Sequence, residues 1–116
     1  MHIIFDEDAK HELSKKHIIL ELDTVRVQQR DITAYCVLDQ IPFTELSRTQ
    51  EMCDLHSDMM AKYKTRQWVQ VQDMANALMG QWGGKMDSFY QEMLQRMSKF
   101  LAHEPDADWQ PVLDKN

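Results

Sequence analysis

The spacing of hydrophobic positions changes part-way along the chain, and that change predicts its layout. Residues 2–5, His-Ile-Ile-Phe, are short and β-prone. Asp6-Glu7-Asp8 then reads as a helix start, because Asp6 can accept from the unpaired N–H groups of a first turn. An acidic first turn also suits the positive end of the helix dipole. Ala9 and Leu13 supply the apolar side, with Lys15, Lys16 and His17 at the C-terminal end. From Leu20 the period drops to two. Leu20 and Leu22 alternate with Glu21 and Asp23, and Val25 and Val27 continue after a one-residue phase slip. Alternation means one face buried and one wet. The slip predicts a bulge or twist near Asp23-Thr24. Residues 28–31 are a polar turn without the Asn-Gly of a tight hairpin, so a loop longer than two residues is expected. Residues 32–38, Ile-Thr-Ala-Tyr-Cys-Val-Leu, form the return strand, and residues 2–5 are the candidate third.

Beyond Pro42 the period becomes helical. Thr44 can cap a helix over residues 44–63, with Leu46, Met52, Leu55, Met59 and Tyr63 on its stripe. Thr65 is the expected cap of the next helix, whose stripe is Trp68, Val71, Met74, Ala75, Leu78 and Met79. Gly80 is a natural C-terminal cap, and Gly83-Gly84 closes the connection. The last helix is expected to begin near Asp87-Ser88, with Ser88 and Gln91 as a capping box. Its wide stripe runs through Met86, Phe89, Tyr90, Met93, Leu94, Met97, Phe100 and Leu101. The fold class is therefore α+β: a short N-terminal helix and an antiparallel hairpin of two or three strands, followed by three helices. Residues 1–104 read as a single domain, and residues 105–116 as an irregular acidic tail in which Trp109, Val112 and Leu113 are the possible anchors.

Charge sharpens this picture. The 116 residues carry 13 basic and 19 acidic groups, a net charge of −6. Residues 1–43 hold 5 basic and 8 acidic groups, residues 44–103 hold 7 and 7, and residues 104–116 hold 1 and 4. The acidity lies at the two ends and the helical middle is neutral. Such a balance on average repels nucleic acid and acidic membranes. The N-terminus lacks the basic start and longer apolar run of a secretory signal, and no apolar stretch has transmembrane length. The cytoplasm is the expected location, with Cys36 and Cys53 as reduced thiols.

Few residues suggest chemistry. Cys53-x-x-His56 places a thiol and an imidazole on one helix face, but a structural zinc site needs two more ligands, with Cys36 the nearest candidate. No nucleophile–base pairing is legible, and the carboxylates fall on faces that read as solvated. Residues 80–85, Gly-Gln-Trp-Gly-Gly-Lys, resemble a phosphate cradle only superficially, since the Walker spacing and a preceding strand are missing. Trp82 within that turn either plugs the end of a helix pair or offers a contact, and Lys85 follows it. The densest patch is Lys62-Tyr63-Lys64-Thr65-Arg66-Gln67-Trp68, where cations suited to phosphates sit beside aromatics suited to base stacking. Nine methionines are either core filling or an adaptable binding surface.

Residues 59–89, with Tyr63, Arg66, Trp68, Ala75 and Leu78, look like one tetratricopeptide-type helical hairpin, but a solenoid needs more units. Four further pieces are Leu20-Glu21-Leu22-Asp23-Thr24, Thr33-Ala34-Tyr35-Cys36-Val37, Tyr63-Lys64-Thr65-Arg66-Gln67-Trp68, and Trp82-Gly83-Gly84-Lys85-Met86-Asp87-Ser88-Phe89-Tyr90. Together they resemble uncharacterised small proteins of marine tailed phages. The resemblance spans residues 20–90 and implies an accessory protein in a bacterial cytoplasm, with no activity attached. The leading expectation is thus a non-catalytic interaction protein without a cofactor, binding a protein partner or itself as a homo-oligomer, away from membranes. The second is a nucleic-acid-binding module of helix–turn–helix or winged type. Lys62, Lys64, Arg66, Trp68, Trp82 and Lys85 are the candidate contacts in either case.

Overall fold

A computed structural model describes residues 2–15, 17–38 and 46–114. In chain order it has β1 (His2–Ile4), α1 (Glu7–Leu13), β2 (Ile18–Val27), β3 (Arg30–Leu38), α2 (Leu46–Lys64), α3 (Trp68–Leu78), α4 (Asp87–Ala102) and β4 (Val112–Asp114). This is the expected α+β class. The expected stop at Pro42 and cap at Thr44 lie outside the described residues. The chain divides into two compact units, Met1–Cys53 with Pro111–Asn116, and Asp54–Gln110.

The first unit is built on a sheet of order β1-β3-β2-β4. β1 pairs antiparallel with β3, Ile3 opposite Cys36. β2 and β3 form the hairpin, and their register shifts between Glu21 and Thr24. Three steps on β2 match two on β3 there, so the phase slip in the hydrophobic pattern is a bulge. Past it, Thr24 and Thr33 face each other with their hydroxyls 2.8 Å apart. The hairpin turn departs from expectation. It has only two residues, Gln28 and Gln29, with φ of 52° and 68°. Two left-handed residues match the strand twist, and here the sheet imposes them on glutamines that do not favour them. Arg26 clamps the turn through Asp31 at 2.8 Å, and this hydrogen bond holds the Asp31 carboxyl below the usual carboxylate range.

α1 starts as its sequence dictates: the Asp6 carboxylate accepts from the N–H groups of Asp8 and Ala9, at 2.8 and 3.4 Å. The helix is fixed to β3 through Tyr35, whose hydroxyl donates to Glu7 while Lys10 lies 5.0 Å over its ring. The segment expected to be irregular throughout supplies β4, which pairs parallel with β2, Thr24 opposite Val112. Three residues carry too weak an alternation to read as a strand.

In the second unit the stripes fall where the period placed them, except that Leu101, expected on the last one, is 47% exposed at the end of α4. Trp68, Val71, Ala75 and Leu78 are buried on α3, and Tyr90, Met93 and Met97 on α4. Five methionines, Met59, Met60, Met86, Met93 and Met97, are buried. They fill core, each contributing on the order of 1.5–3 kcal/mol over exposure. The helix ends differ in detail from the sequence signals. Thr65 does not cap α3. Its hydroxyl donates back to the Ala61 and Lys62 carbonyls, 3.2 Å each, at the end of α2. Met86, without a side-chain bond, takes the cap position of α4, and Asp87 instead accepts from the Gly80 N–H at 2.7 Å. Gly80 does end α3, with the left-handed φ of 80° that suits glycine there.

Candidate functional site

The junction between α2 and α3 is where the sequence concentrates cations and aromatics. α2 closes with the Gln67 N–H bonded to the Lys62 carbonyl at 3.0 Å and the Arg66 N–H to the Tyr63 carbonyl at 3.3 Å. That pair of bonds places Arg66 at the left-handed position of a Schellman end, φ 64°, where glycine is the usual occupant. A non-glycine residue there costs roughly 1 kcal/mol. The cost is offset by what the arginine side chain does.

The Arg66 guanidinium donates to the Pro105 carbonyl at 3.0 Å, to the Asp106 carbonyl and, at 3.5 Å, to Glu104 Oε1. It also lies 5.4 Å over the Trp109 ring. Trp68, only 5% exposed, donates its indole N–H to the other Glu104 oxygen at 2.6 Å. Trp109 meets Tyr63, Trp68 and Phe100 edge-to-face, with centroids 5.6, 5.3 and 5.6 Å away. Such pairs each contribute about 0.5–1.5 kcal/mol beyond area burial. Behind them Arg96 donates to the Tyr63 hydroxyl at 3.1 Å. The result is a cleft with one cation and three rings, filled by the acidic segment 104–109.

The six candidate contacts are therefore dispersed. Arg66 and Trp68 form the cleft. Lys62 sits 3.8 Å from Asp58 along α2. Lys64 is exposed, as is Lys85 in the glycine turn. Trp82 is 9% exposed and gives its indole N–H to the Tyr90 hydroxyl at 2.9 Å. It plugs the end of the helix pair. The same hydroxyl lies 2.9 Å from His56 Nδ1. His56 is 1% exposed, and Phe89 and Tyr90 pack against its ring. His56 thus serves a buried polar network within the second unit. Cys36 and Cys53 are both free of disulfides. Among the described residues no cluster of three or more His, Cys, Asp or Glu is placed to hold a metal ion. No described helix is long and apolar enough to cross a membrane.

Two residues of this arrangement escaped the sequence reading as a site. Trp109 lay in the segment set apart as an acidic tail, and Glu104 at the last position before it. Their signal was present as a charge contrast, four acids in residues 104–116 beside a neutral helical middle. No family model, no curated protein and no solved structure matches the chain.

Proposed function

We propose that this protein works by contact: a non-catalytic interaction protein whose first partner is a second copy of itself. The observation that carries this reading is the β1 margin of the sheet. Ile3, on the edge strand, is 49% exposed, and Phe5, one residue beyond its end, is 56% exposed. Natural edges are commonly blunted by charged side chains or proline, and exposed apolar groups at an edge mark a pairing surface. Antiparallel pairing about a two-fold axis needs only the same strand twice. β1 is short, so the association is weak and concentration-dependent. Such a role fits an accessory protein of a phage in a bacterial cytoplasm. Sedimentation over a concentration series is the test. Wild type should shift from monomer to dimer and Ile3→Lys with Phe5→Lys should remain monomeric. A wild-type monomer at every concentration overturns the self-association.

Nucleic-acid contact through residues 62–68 is the weaker reading. Arg66 and Trp68 are occupied by the chain's own acidic segment, and Lys62 lies 3.8 Å from Asp58. A salt-dependent shift assay with wild type and a chain neutralised at Lys62 and Lys64 tests it, since each lost phosphate contact flattens the salt slope.

A further inference from the structure

We propose that the cleft of Tyr63, Arg66, Trp68 and Phe100 is a peptide-docking site, held shut by residues 104–109, whose partner is another protein carrying an acidic segment with a tryptophan. The segment is seated as a bound peptide is seated. Residues 104 and 106–108 are exposed, and the hold comes from one carboxylate, two backbone carbonyls and one indole. Its own backbone bond within the stretch is the Trp109 N–H to the Asp106 carbonyl, 3.0 Å, a single turn. The cleft reads the segment in two ways. Arg66 and the Trp68 N–H together take both oxygens of one carboxylate, and the rings take an aromatic side chain five residues on. Arg66 adds backbone recognition that any sequence with this trace can satisfy. Placing an arginine at a left-handed position is a local cost that those contacts offset. Charge points the same way: the segment is acidic and the cleft is cationic. A competing segment with a carboxylate and a tryptophan at this spacing meets the same donors and rings, and must displace the resident one. The resident segment then sets the threshold for binding, because only the fraction of molecules with an open cleft can bind.

The probe is a labelled synthetic peptide of residues 103–114, His-Glu-Pro-Asp-Ala-Asp-Trp-Gln-Pro-Val-Leu-Asp. Full-length Trp109→Ala, whose resident segment has lost its anchor, should bind it in a fluorescence anisotropy titration. Wild type should bind ~10-fold or more weakly. Adding Arg66→Ala to the Trp109→Ala chain should abolish binding, as should replacing the peptide's tryptophan by alanine. Circular dichroism establishes that each chain is folded. If Trp109→Ala is not, Glu104→Gln, which keeps the tryptophan, replaces it in the same titration. Binding that survives Arg66→Ala overturns the site, and so does a folded Trp109→Ala chain that does not bind. Equal binding by wild type overturns the resident block. Mixing full-length Trp109→Ala with full-length Arg66→Ala, each also carrying Ile3→Lys and Phe5→Lys so that the β1 edge does not pair, identifies the source. A dimer that neither forms alone puts a second copy in the cleft and overturns the separate partner, whereas two persistent monomers support it.

Discussion

Glu104 accepts the indole N–H of Trp68, 36 residues away in sequence, at 2.6 Å. With Arg66 on its other oxygen, this carboxylate ties the end of α4 to the start of α3.

Replacing Arg66 separates its two roles. Arg66→Ala loses charge-assisted bonds to Glu104, Pro105 and Asp106. Urea unfolding should show a loss of about 2 kcal/mol. Arg66→Gly loses the same bonds but relieves the left-handed backbone. It should be more stable than Arg66→Ala by about 1 kcal/mol and less stable than wild type. A glycine variant no better than alanine would show that the backbone carries no strain.

Tyr90→Phe removes the acceptor of the Trp82 indole N–H and the partner of His56 Nδ1 while preserving the ring. A buried donor left unsatisfied costs about 1–3 kcal/mol. The expected loss in denaturant unfolding lies in that range, and an unchanged midpoint would mean that the indole finds another acceptor.

Tyr35 should make the protein sensitive to alkali. Burial first, then the hydrogen bond to Glu7 and the charges of Glu7 and Glu21, raise its hydroxyl from 10.0 to about 12. The folded state therefore holds this proton where the unfolded chain has released it. The stabilisation is fully present below pH ~10 and is lost as pH rises through the folded value. Unfolding measured across that window should show a falling midpoint in wild type and a flatter profile in Tyr35→Phe. A Glu7→Gln chain should titrate Tyr35 at lower pH by tyrosinate absorbance.

The hairpin turn leaves stability to be gained. Gln29 holds φ 68° without a glycine's freedom. Gln29→Gly should raise the melting temperature, equivalent to about 1 kcal/mol. A loss would show that the glutamine side chain contributes more than its backbone costs.

The sequence by itself determined the order and type of the main elements. Asp6 as a cap, the alternation around Leu20 and Leu22, the phase slip before Val25, and the stripes through Trp68–Leu78 and Tyr90–Met97 are all local signals. A cap is satisfied within its own turn, and a stripe repeats every few residues, so neither needs a distant partner. Only the tertiary structure decided the rest. The two-residue turn at Gln28-Gln29 follows from strand register, which overrides the residues' own preference. β4 is a strand because β2 offers it an edge, and its three residues could not announce that. The patch at residues 62–68 had the same weakness. Lys62, Lys64, Arg66 and Trp68 read as one set of candidate contacts when only neighbours in sequence are compared. Which cations stay in solvent depends on Glu104, Asp106 and Trp109, whose approach is set by the path of the chain after α4, and long-range pairing of that kind leaves no periodic trace.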